Sequence, residues 1–201
     1  MARFAHPDFE ALQQCVASAA RGVFLRARKK RPDEIFFAYV LTTYGTGSLG
    51  GCCINTLQNH TRVWNEALRQ SYTKPDDEHY YKWCCADWGD GEYVDDHQDV
   101  FMEAWEAFER AMQTYRRLLT DAGQDDSDAL GFSDDHPLHN ALADALEQLD
   151  REGVFGAGEE RRNALVFMTQ YDGEDEVFPW SIARLNPQAS EALKREALSW
   201  V

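Results

Sequence analysis

The chain has 201 residues, with 20 Lys plus Arg against 35 Asp plus Glu, a net charge of −15, 44% hydrophobic residues and 12% aromatic residues. That length suits one domain with a real core, so general disorder is excluded and a single acidic domain over residues 1–201 is expected. No apolar run approaches the ~18 residues of a membrane span, and Met1 to Phe9 carries no secretory apolar stretch, which points to a cytoplasmic or other reducing compartment.

From Asp8 to about Lys30, Phe9, Leu12, Val16, Ala19, Val23 and Ala27 recur at helical spacing. The run Arg26 to Arg31 places cations at the C-terminal end, where the helix dipole favours them, and Pro32 stops the helix. Structure therefore explains this basic run without nucleic acid. Ile35 to Thr43 is β-branched and aromatic, and Leu49 to Asn55 is a second strand after a Gly-rich turn, so the two predict a hairpin. Thr56 to Tyr72 returns to helical spacing through Leu57, Val63 or Trp64, and Leu68. The aromatic stretch Tyr80 to Trp88 fits either a short strand or a loop packed on the sheet. The longest helix is predicted over about Asp96 to Thr120, where Phe101, Trp105, Phe108, Met112, Tyr115 and Leu119 are three and four residues apart.

Gly123 to Asp135 is acidic and poor in apolar residues, and reads as an exposed loop. Leu138, Leu142, Ala145, Leu146 and Leu149 define a further helix, ended by Gly153 to Gly158. Asn163 to Tyr171 is a third strand, and Asn186-Pro187 reads as the cap and first position of a last helix carrying Ala189, Leu193, Ala197 and Trp200. The order predicts an α+β fold with a mainly antiparallel sheet flanked by helices.

Five cysteines, two of the pairs adjacent, make a poor disulfide framework and read as thiols. Cys52 and Cys53 lie on a strand, so they should enter opposite faces. Cys53, Cys84 and His79 are conceivable zinc ligands, but neither C-x-x-C nor H-x-x-x-H spacing occurs, and no metal or other cofactor is assigned.

Gly45 to Gly50 spells G-x-G-x-x-G after a strand, yet the following Gly51-Cys-Cys-Ile-Asn55 is β-leaning where a dinucleotide fingerprint requires a helix. A P-loop lysine is missing, and Thr46 stands where a nucleophile elbow around Ser48 needs glycine. Asp87 to Asp99 is rich in carboxylates, but an EF-hand register from Asp87 places Gly89, Gly91 and Gln98 at ligand positions. The histidines show no pairing with Ser or Cys that sequence establishes. No catalytic residue is assigned, and a non-enzymatic role is favoured.

Charge is unevenly distributed. Ala86 to Asp135 holds fifteen acidic residues against three arginines, a local net charge of −12, while Met1 to Arg31 carries +5. Such an acidic region repels nucleic acid and anionic membrane and attracts basic proteins. The partner-binding residues expected on this ground are Asp87, Asp90, Glu92, Asp95, Asp96 and Asp99 in one stretch. Asp125, Asp126, Asp128, Asp134 and Asp135 form the other. The alternative is a small-ligand sensor or enzyme with a pocket between sheet and helices, for which Tyr81, Trp83, Cys84 and Trp88 are candidates.

Phe36-Phe-Ala-Tyr-Val40, Tyr80-Tyr-Lys-Trp83 with Asp87-Trp88, Asp150-Arg-Glu-Gly-Val-Phe-Gly156, and Ala164-Leu-Val-Phe-Met168 with Asp172 follow one another along the chain. In this order they resemble the bacterial domain of unknown function family 4303, over most of the chain. That resemblance implies no catalytic residues. The chain is also similar in size and acidity to proteins encoded beside bacterial toxins, which implies an immunity or antitoxin role covering a basic toxin surface.

Overall fold

The computed structural model describes residues 7–44, 48–70, 73–74, 77–88, 98–124, 135–171 and 176–199. Helix α1 (Phe9–Lys30) starts where the Asp8 carboxylate accepts a hydrogen bond from the Ala11 amide. Within its basic end, Arg28 pairs with Glu160 at 2.7 Å and donates to the Tyr39 hydroxyl, also at 2.7 Å, while Lys29 and Lys30 are exposed. Strands β1 (Phe36–Tyr44) and β2 (Ser48–Thr56) form the expected antiparallel hairpin, from Phe36 opposite Thr56 to Tyr44 opposite Ser48. Gly50 sits in β2 where a Cβ would meet the Thr42 Oγ1 at 2.4 Å, so a pairing constraint explains this glycine. Gly45 to Gly47 of the same G-x-G-x-x-G run lie outside the described residues.

Helix α2 (Leu57–Arg69) follows directly, with Thr56 as last strand residue and N-cap, its Oγ1 accepting from the Asn59 amide at 3.0 Å. The aromatic stretch next in the chain is neither strand nor plain loop: it folds into α3 (Glu78–Trp83) and a 3-10 turn over Cys85–Asp87. Helix α4 (Gln98–Asp121) is the longest element, followed by α5 (Pro137–Arg151), the single turn α6 (Gly158–Arg162) and strand β3 (Leu165–Tyr171). Two helices close the described chain, α7 (Val177–Leu185) and α8 (Glu191–Leu198).

The fold is α+β, but the sheet is mixed, which corrects the expectation of a mainly antiparallel one. Strand order is β2-β1-β3, with β1/β2 antiparallel and β1/β3 parallel from Ala38 opposite Leu165 to Tyr44 opposite Tyr171. The connection from β2 to β3 passes through helices and returns the chain to the edge of β1 in the direction of β1 itself. The central strand is accordingly covered on both faces, and Phe36 to Thr43 are all buried.

Two cores result. On one face, Phe24 of α1, Phe108 of α4, Leu142 of α5 and Phe155 of the turn after α5 pack against Tyr39, Leu41, Cys52 and Ile54. On the other, Phe37, Val40, Cys53 and Phe167 pack with Trp83, Trp88, Phe178 and Ile182. Cys52 and Cys53 enter opposite cores, as strand alternation requires, and all five cysteines are thiols. The last helix begins later than its sequence suggests: Ser190, not Asn186, caps α8, its hydroxyl accepting from the Leu193 amide at 3.2 Å. Asn186 is instead fully buried, and its side chain exchanges two hydrogen bonds with the backbone of Val166 in β3, at 2.8 and 2.7 Å. No helix among the described residues is long and apolar enough to cross a membrane.

Candidate functional site

The acidic residues singled out by charge fall mostly outside the described parts of the chain. Asp90, Glu92, Asp95, Asp96, Asp125, Asp126, Asp128 and Asp134 lie there, and Asp99 is placed only as backbone in the first turn of α4. Asp87 is half-buried in the 3-10 turn, and Asp135 is exposed just before α5.

Of the four pocket candidates, Trp83 and Trp88 are core side chains, 1% and 2% exposed. Trp83 meets Phe37 edge-on with ring centroids 5.4 Å apart, and the Trp88 indole donates to the Lys82 carbonyl at 3.2 Å. Tyr81 packs on Trp64 at 5.5 Å between ring centroids. Cys84 closes α3, where burial pushes its thiol above the ordinary range. Its hydrogen bond with Tyr80 in turn pushes the Tyr80 hydroxyl up. Burial alone also raises Cys52. Thiols held protonated in this way are poor nucleophiles at neutral pH. Among the described residues, no three His, Cys, Asp or Glu side chains gather in a metal-holding arrangement.

The concave and exposed features lie elsewhere. Helix α4 turns Phe108, Ala104, Ala111 and Met112 into the core, while Met102 and Trp105 stay 46% and 42% exposed. Met102, Trp105, Glu106 and Glu109 stand at i, i+3, i+4 and i+7, so they share one outward stripe. Glu103 is exposed one step round the helix. Beside this stripe, Phe101, Met102 and Trp105 of α4 face Leu49 and Gly50 of β2 across a groove of about 330 Å³. Among the described residues, β2 pairs only with β1. The arrangement sets two exposed apolar side chains, a row of carboxylates and the edge of β2 side by side. Composition hid this stripe: Trp105 fits the core periodicity of α4, and only the packing shows that it lies at the boundary of the buried face.

A larger cleft, about 590 Å³, opens between the end of α5, α6 and the end of α7. Its floor is Arg161, whose side chain is 6% exposed. Nε and Nη2 of Arg161 donate to the two carboxylate oxygens of Asp150 at 2.7 and 2.9 Å. Nη1 donates to the Ala164 carbonyl at 2.8 Å and Nη2 to that of Leu185 at 2.9 Å. One guanidinium thus ties α5, α6, the start of β3 and α7 together. At the cleft wall, Arg184 pairs with Glu147 at 2.8 Å and also with Asp144.

Residues 16–187 match the family model described as Domain of unknown function (DUF4303). The chain belongs to that family. The matched region of this DUF4303 chain starts within α1, contains the α4 stripe and ends at Pro187, so it includes the Arg161 brace and leaves α8 outside. No curated protein and no solved structure matches the chain. Family membership therefore names a domain and assigns it no reaction.

Proposed function

We propose that the chain is a stoichiometric protein-binding module that receives a basic partner on the outward face of α4 beside β2. The observation that carries this reading is the exposure of Trp105 and Met102 within a row formed by Glu103, Glu106 and Glu109. Buried aromatic anchors dominate binding energy at protein interfaces, while rim charges steer encounter and select the sign of the partner. The acidic balance of the surrounding sequence extends the same preference, with a net charge of −15 for the whole chain. An apolar side chain flanked by lysine or arginine is the partner chemistry that fits.

The specific form of this proposal is an immunity or antitoxin protein whose partner is a bacterial toxin with a basic surface. Its support is the acidity of the chain together with an aromatic anchor and thiols that are not activated. The test is co-expression with toxins encoded beside the gene, using the intact chain and the double variant Trp105→Ala, Glu106→Gln. Protection by the intact chain and its loss in the folded variant supports the reading. Equal protection by both removes α4 from it, and protection by neither removes the immunity role.

A further inference from the structure

The cleft at the end of α5 has a charge opposite to that of the molecule. Arg151, Arg161, Arg162 and Arg184 line it against Glu147 and Asp150, in a chain whose overall charge is −15. Two of the four arginines are neutralised in place, Arg161 by Asp150 and Arg184 by Glu147. The other two are exposed, Arg151 as the last residue of α5 and Arg162 as the last of α6. Among the described residues neither side chain makes a hydrogen bond or an ion pair.

The surrounding backbone keeps the cleft accessible and fixed. Its rim is Gly156-Ala157-Gly158, where both glycines have left-handed φ values, 94° and 58°. The rim carries no side chain larger than the methyl group of Ala157, while the Arg161 brace beneath it holds the floor. Its volume of about 590 Å³ is that of a small-molecule site.

We infer that this cleft binds the oxyanion group of a small metabolite, phosphate or carboxylate, between Arg151 and Arg162. A guanidinium presents paired N–H donors to an oxyanion, and two of them lining the same cleft give a charge-assisted grip. Asp150 and Glu147, already held by Arg161 and Arg184, present acceptor oxygens to hydroxyl or amine groups farther along the ligand. No residue lining the cleft belongs to α4 or β2, so this inference and the binding role of α4 stand or fall separately.

The experiment is titration of the ¹⁵N-labelled full chain with inorganic phosphate, and separately with succinate, at constant ionic strength set by sodium chloride. Saturable amide shifts at Arg151, Gly156, Gly158 and Arg162 are expected in at least one arm. Saturation with phosphate alone points to a phosphorylated ligand, with succinate alone to a carboxylated one, and with both to the shared oxyanion chemistry. Arg151→Ala and Arg162→Ala should each weaken that binding about tenfold or more, as loss of a charge-assisted contact does. Arg117→Ala, an exposed change on α4, should leave it unchanged. The inference is overturned if neither anion saturates, or if the Arg162→Ala chain, folded by its amide spectrum, binds as the intact chain does.

Discussion

Arg161 concentrates more of the fold in one side chain than any core residue near it. It is buried, and its donors reach Asp150, Ala164 and Leu185, groups far apart in sequence. Removing it strands the Asp150 carboxylate and two backbone carbonyls, so Arg161→Ala should cost about 3–5 kcal/mol, read by urea unfolding. Arg161→Lys should recover little of this, because an ammonium lacks the planar fork that meets both carboxylate oxygens. Gly156 is a second sensitive point: its φ is 94°, and an added Cβ would meet the Glu160 carboxylate at 2.4 Å. The Glu160 side chain can swing away, which leaves backbone strain as the main penalty, so Gly156→Ala should destabilise by about 1 kcal/mol. His139 gives a pH signature. It is 5% exposed, and burial, with a smaller contribution from the neighbouring His136, lowers its pKa from 6.5 to about 4. The folded state therefore holds it neutral where the unfolded chain takes up a proton. Its stabilising share is complete above about pH 6.5 and disappears as the pH falls towards 4, amounting to roughly 3 kcal/mol. Unfolding free energies of the intact chain and of His139→Leu, measured from pH 7.5 to 4, should converge on acidification. A constant difference between the two across that range would contradict the assignment.

At the scale of elements, α4 separates stability from surface. Phe108 is 1% exposed, so Phe108→Ala should cost about 3–5 kcal/mol, whereas Trp105→Ala should stay within about 1 kcal/mol, compared by thermal and urea unfolding. If Trp105→Ala unfolds the chain as readily as Phe108→Ala does, Trp105 is a core residue and not an anchor. The long helices were legible in sequence because each buries one face: the three- and four-residue spacing in α1, α4 and α5 coincides with the buried positions Leu12, Val16, Phe108, Leu142 and Leu146. The short ones were not. In α7, Val177, Phe178, Ile182 and Leu185 share one buried face, but nine residues interrupted by Pro179 are too few turns for that period to stand out in the sequence. Tyr80 to Trp83 has the residues of a strand, but packing of Trp83 beneath Phe37 fixes it as a helix. Asn186-Pro187 has the spelling of a helix start, yet the Asn186 side chain is taken by the backbone of β3, a long-range contact no local pattern encodes.

For the whole molecule, the fold class and the strands were legible but the direction of β3 was not: Ala164 to Met168 are buried on both faces, and β1, an equally continuous apolar run, pairs antiparallel on one side and parallel on the other. The site was legible only as charge. Acidic composition pointed to a basic partner, and the packing of α4 supplies the aromatic anchor that composition could not separate from the core. Occupation of this face by a basic protein is the proposal. It is tested most directly by capturing partners from the source lysate with the tagged full chain and with its Trp105→Ala, Glu106→Gln variant, at low and moderate salt, with quantitative mass spectrometry. One stoichiometric basic protein is expected on the intact chain, released as salt rises and lost from the folded variant even at low salt. The same proteins captured in equal amount by both chains, or a partner indifferent to salt, would contradict it.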